Sequence, residues 1–151
     1  MKVYNFLREL TNRISVGEWQ ELKLNDPVIL KGKEPSLPVS EFNRQQLLRM
    51  KSLFVRGAGG LYRLMEVDEE AAYSLERNIK AYLEECMADK PDAHKYIIIV
   101  CLYLTFVEKE PMHPMEAVHW VKMAGEDGKE AYYCPYKNDS ITCNYCVCKR
   151  A

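Results

Sequence analysis

Apolar residues recur at helical spacing along most of this chain. Val3, Leu7, Leu10 and Ile14 follow one another at intervals of four, three and four, and Phe6 widens the same face. This pattern predicts an amphipathic helix over about residues 2–14. Ser15 followed by Glu18 has capping-box spacing, in which side chain and backbone satisfy each other's orphan groups, and predicts a second, short helix carrying Trp19 and Leu22. The period fails over residues 25–40, where Pro27, Pro35 and Pro38 remove backbone donors and Gly32 adds freedom. A connecting loop is expected there, with Val28, Ile29 and Leu30 packed on the body; the signal for a hairpin is weak. Ser40 then stands as an N-cap, and Phe42, Leu47, Met50 and Phe54 mark a helix to about Val55. The glycine-rich residues 56–60 end it, and residues 61–65 add another helical turn.

The clearest helix follows. Asp68 caps it, Glu69 and Glu70 suit the positive end of its dipole, and Ala72, Leu75, Ile79, Tyr82 and Cys86 form a stripe at spacings of three and four. Cys86 on that stripe is expected to be a small buried hydrophobe, and the helix to stop near Asp89, before Pro91. Asp92 is expected to cap the next element, which contains the apolar run 96–107, broken only by Thr105. Its β-branched residues argue for a strand. Its length argues for a helix, because the run exceeds a usual buried strand and no partner strand of similar quality exists. A central helix, apolar nearly all round, is therefore expected, with Cys101 in the core and His94 at the surface or at a cap. Pro111 ends it, and Pro114 opens a last helix over residues 115–124, closed by Gly125.

The predicted fold class is all-α: a compact bundle of about five or six helices around a central apolar helix, with an irregular Cys-rich C-terminal arm. At 151 residues and 48% hydrophobic content the chain suits a single domain, residues 1–151, made of a helical body over 1–125 and the arm over 126–151.

Charge narrows the partners. Lys and Arg total 21 against 22 Asp and Glu, so no global field draws the molecule to nucleic acid or to an anionic membrane. The run 96–107 is much shorter than the roughly 20 apolar residues of a membrane span. Arg8 and Glu9 interrupt the N-terminal segment before a signal-peptide core can build up, and the chain reads as mature and cytoplasmic. In a reducing cytosol, clustered cysteines are more often metal ligands or redox thiols than structural disulfides.

That clustering is the main chemical signal. Four of the six cysteines fall near the C-terminus, as Cys134, Cys143, Cys146 and Cys148. Cys143 and Cys146 make a CxxC unit, whose spacing lets two sulfurs turn toward one ion; Cys134 can approach across the intervening loop, and Cys148 is the natural fourth ligand. The Cys146-Val147-Cys148 step is crowded for a closed tetrahedral site, which leaves His113 or His119 as a substitute for one thiolate. Lys137, Lys149 and Arg150 can offset the negative charge of four thiolates. Zinc would stabilise an arm that buries too little to fold alone. An iron-sulfur cluster needs the same thiolates, although C-x8-C-x2-C-x-C fits none of the common ferredoxin patterns. Thiol-disulfide switching among the same cysteines is the remaining alternative.

Other motifs are weaker. Arg56, the glycines after it and Arg63 could cradle a phosphate, but neither the P-loop nor the dinucleotide spacing is present, and a plain interhelical turn is the simpler reading. The Glu-x-x-His spacings Glu110 to His113 and Glu116 to His119 resemble a di-iron bundle motif, yet they are adjacent and interrupted by Pro111 and Pro114. No nucleophile elbow supports a hydrolase. Tyr132, Tyr133, Tyr136 and Tyr145 interleave with basic residues, but the zinc-knuckle spacing is missing, and nucleic acid is disfavoured against tyrosines packed around a metal loop.

The Tyr133-Cys134-Pro135 start, the Cys143-x-x-Cys146 unit and the chain length resemble a family of small uncharacterised proteins of methanogenic archaea. The match is clearest over the last twenty residues. The resemblance implies an archaeal, cytoplasmic protein of an anaerobe, where oxygen-sensitive clusters survive, and it implies no activity. The sequence therefore points to a non-enzymatic, metal-binding module that meets a protein partner, with a redox or metal-handling role as the rival.

Overall fold

The computed structural model describes residues 1–110, Met112, and the backbone of Val121–Ala124, Glu130–Cys134 and Asp139–Ser140. Helix α1 (Val3–Asn12) buries Val3, Phe6, Leu7 and Leu10, the face read from the sequence. Helix α2 (Val16–Leu24) begins with the expected capping box. Glu18 N donates to Ser15 Oγ at 3.2 Å, and Ser15 N donates back to the Glu18 carboxylate at 3.2 Å. Trp19 and Leu22 are its buried residues.

The proline-rich connection folds a single short turn, α3 (Pro27–Leu30), which starts from Asp26 accepting from Val28 N. The expected packing of this turn is not observed: Val28 is 82% and Ile29 57% exposed. Four residues make too short a helix to present a continuous face, and Lys31 in the left-handed region (φ 51°) turns the chain away.

Helix α4 (Glu41–Val55) starts at Ser40, whose hydroxyl accepts from Asn43 N. It stops in a Schellman closure. Gly57 adopts φ 81°, Gly57 N donates to Phe54 O, and Ala58 N donates to Leu53 O. A 3-10 turn, Gly60–Leu64, supplies the extra helical turn expected there.

Helix α5 (Glu69–Cys86) is capped by Asp68, which accepts from Ala71 N at 3.1 Å. Its buried stripe is Ala71, Ala72, Leu75, Ile79 and Leu83. Cys86 is exposed, contrary to the sequence reading. After Ile79 two continuations at helical spacing were open, through Tyr82 to Cys86 or to Leu83, and the second is the one that faces α6. The helix also ends at Cys86 instead of near Asp89.

Helix α6 (Pro91–Tyr103) is the central element, packing against α1, α4 and α5. Pro91 occupies its first turn after Lys90, so Asp92 lies within that turn and is not the cap. All residues from Tyr96 to Tyr103 are buried, Cys101 among them. The helix widens into a π turn, Leu104–Glu108, and is closed by Lys109 at φ 58°. His94 lies near the start, its Nε2 2.6 Å from Met87 O, and so serves the carbonyl end of α5.

Within the C-terminal segment, the expected last helix is contradicted where its residues are described. Val121–Ala124 is not the end of a helix but strand β1; it pairs antiparallel with β2 (Glu130–Cys134), Val121 opposite Tyr133 and Ala124 opposite Glu130. Strand β2 pairs in turn with β3 (Asp139–Ser140), so the three strands form a sheet in sequence order. Val121, Tyr132 and Tyr133 suit a pleated surface, and the glycines between β1 and β2 suit a reversal. The helical reading fails at residues 121–124 because it weighed spacing without a partner segment, while residues 115–120 lie outside the described residues. The body remains helical, as expected, and among the described residues no helix is long and apolar enough to cross a membrane.

Candidate metal centre

Of the four cysteines expected to act together, Cys134 is the one the structure places. It ends β2, its backbone opposite Asp139 of the antiparallel strand β3. Cys143, Cys146, Cys148, His113 and His119 lie outside the described residues. Among the described residues no group of three or more His, Cys, Asp or Glu side chains is arranged to hold a metal ion. Ser140 pairs with Tyr133, the neighbour of Cys134, and Cys143 follows three residues later.

Two of the other motifs find structural uses, while Glu116 and His119 of the second Glu-x-x-His spacing lie outside the described residues. In the glycine-rich turn, the amides of Gly57 and Ala58 are consumed in closing α4, and Ala58 is buried, which leaves them nothing to offer a phosphate. Glu110 of the first Glu-x-x-His spacing is paired with Arg49 at 2.8 Å.

That pair belongs to a polar hub the sequence did not disclose. Glu108, with its side chain 6% exposed, ends the π turn. Its Oε1 accepts from Tyr103 OH at 2.9 Å and from Tyr62 OH at 3.0 Å, and its Oε2 accepts from Arg49 Nη2 at 2.6 Å. Arg49 also donates to both oxygens of Glu110. Both Glu108 oxygens are engaged, so the group ties α4, the 3-10 turn and the end of α6 together. Burial, then the hydrogen bond to Glu108, pushes the Tyr103 phenol well above its usual range, and the same two causes raise Tyr62. Glu110 N also donates to Leu104 O at 2.9 Å. The hub thus anchors the chain where it leaves the central helix. The local sign of it was a carboxylate five residues after a buried tyrosine, the spacing of a π turn.

A second cluster joins α2 to α6. Glu18 lies 2.7 Å from Lys95 Nζ and accepts from Tyr96 OH. Partial burial would raise the Glu18 carboxyl, but the bonds from Lys95, Tyr96 and Ser15 outweigh it and lower it from the ordinary 4.5 to about 2. A depressed carboxyl stabilises the fold above its unfolded pKa and loses that contribution as pH falls through the folded value. The stability gap between the wild type and Glu18→Gln is therefore expected to be full above pH 4.5 and to close as pH falls toward 2. Denaturant titrations across that window measure it, and a constant gap would contradict the assignment.

Residues 4–151 match the family model described as an uncharacterized protein conserved in archaea, DUF2115, and the chain belongs to that family. A UPF0305 protein of Methanocaldococcus jannaschii is 30% identical over 88 residues. That alignment covers 56% of this chain and 54% of the relative, so the chain spans about half the length of the curated relative it matches. No solved structure matches the chain.

Proposed function

We propose that Cys134, Cys143, Cys146 and Cys148 hold one structural zinc ion, and that the arm fixed in this way makes the chain a protein-interaction module. The observation that carries the reading is the spacing of four thiolates around a chain reversal, with Cys134 at the end of β2 and the CxxC unit beginning three residues after β3. Thiolates are the donor set zinc prefers in closed sites, and His113 or His119 supplies the fourth position if Cys148 does not. The hub at Glu108 is compatible with the same reading, because it fixes the chain where it leaves the central helix. An interaction module requires no more than this, and the buried carboxylate of the hub is engaged in holding α4, the 3-10 turn and α6 together.

Elemental analysis and a visible spectrum of protein purified without oxygen test the proposal. About one zinc per chain and no colour are expected. Iron with acid-labile sulfide and a brown spectrum would replace the zinc site by an iron-sulfur centre, and hence by a redox role. Absence of any metal would leave thiol-disulfide exchange.

A further inference from the structure

A groove of about 440 Å3 lies between α1 and α5. The backbone explains its position: Lys2 and Glu66 form an antiparallel bridge, and Val67 N donates to Met1 O at 2.7 Å, so both helices start from adjacent points. Between them Phe6 and Leu10 of α1, Ala72 of α5 and Leu102 of α6 form an apolar floor, and Tyr73, 63% exposed, stands on the rim. The charged side chains of the lining are four carboxylates and Arg13, while the Met1 ammonium is paired with Glu66. Glu9 comes from α1, and Glu69, Glu70 and Glu76 from α5. Arg13 pairs with Glu76 at 2.9 Å, whereas Glu9, Glu69 and Glu70 have no ion-pair partner among the described residues. The whole chain carries a net charge of only −1, so this concentration is local and does not follow from general acidity.

The geometry points to a docking groove for a cationic amphipathic helix of a protein partner. Its apolar face lies along the floor and the Tyr73 ring, and its lysines or arginines meet Glu9, Glu69 and Glu70. Charge complementarity selects this occupant: a neutral or acidic helix would leave three carboxylates facing it without compensation. Glu69 to Glu76 spans two turns of α5, about 10 Å, which matches the length over which a short docked helix makes contact. Partner helices of this kind are read through apolar anchors at helical spacing, with the charged rim setting orientation and on-rate. The inference rests on the interaction-module reading for its partner class and not on the metal.

The test uses the full chain and a fluorescein-labelled peptide of about 16 residues with Leu on one helical face and Lys on the other, followed by anisotropy. The triple variant Glu9→Gln, Glu69→Gln, Glu70→Gln is expected to bind at least about tenfold more weakly than the wild type. A control with three exposed carboxylates removed elsewhere, Glu34→Gln, Glu84→Gln, Glu85→Gln, is expected to change affinity by less than about twofold, the size of a screened long-range effect. A probe with Glu in place of Lys is expected not to bind, and one with Ser in place of Leu to bind much more weakly. Equal losses in the two triple variants, or full binding of the Ser probe, would overturn the proposal by reducing the contact to general electrostatics. Circular dichroism of both triple variants establishes that they are folded. Cys134→Ser is expected to bind the probe as the wild type does, so failure of the zinc reading and failure of the groove are separate results.

Discussion

Replacing Glu108 by Ala is expected to cost about 3 kcal/mol of stability, the loss typical of removing one member of a buried, hydrogen-bonded charge cluster. The three donors that lose their acceptor are not equally affected. Arg49 is 41% exposed and retains Glu110, so its charge is re-solvated cheaply. Tyr103 is fully buried, and its hydroxyl would lose the carboxylate oxygen that accepts from it. Most of the loss therefore resides in Tyr103, and the variant Tyr103→Phe combined with Glu108→Ala is expected to be less destabilised than the sum of the single changes, by about 1 kcal/mol. Urea denaturation of the four proteins measures this coupling. In a chain of this size the single Glu108 change corresponds to a fall of about 6–12 °C in Tm. A loss below about 1 kcal/mol for Glu108→Ala would show that the hub contributes little.

The second large effect belongs to the middle of the central helix. Ile99 is fully buried in α6, which is surrounded by α1, α4 and α5. Ile99→Ala removes methyl and methylene groups from a site enclosed by several helices, where partial collapse is hindered, and is expected to cost about 3–4 kcal/mol. Against a total stability of roughly 5–15 kcal/mol, that is a large share of what holds the domain together. Val28→Ala is the comparison, because Val28 is 82% exposed on α3 and its replacement is expected to cost less than about 0.5 kcal/mol. Equal effects at the two positions would mean that α6 is not the centre of the body.

The helical body was legible where local chemistry agrees with global burial. Ser15 with Glu18, Ser40 and Asp68 mark helix starts by hydrogen bonds that involve residues three apart, and those bonds are present. The run 96–107 could be assigned to a helix in spite of its β-branched residues, because its length and lack of partners outweighed propensity. Cys86 was misplaced because two stripes share Ile79, and only the position of α6 decides between them. The strands Val121–Ala124 and Glu130–Cys134 depend on each other's presence, and a reading by helical period does not see such a pairing. The Glu108 hub depends on tyrosine and arginine partners 46 and 59 residues away, brought together by the packing of α4, α6 and the 3-10 turn. Cys134 was picked out by spacing alone, which recognises donors that share a short segment regardless of the fold around them.

The most direct test of the account is the zinc content of single cysteine variants prepared alongside the wild type without oxygen. The wild type and Cys86→Ser, altered at an exposed cysteine on α5, are expected to retain about one zinc per chain. Cys134→Ser and Cys143→Ser are expected to lose most of it while keeping the helical content of the body. Unchanged zinc in Cys134→Ser and Cys143→Ser would contradict the site.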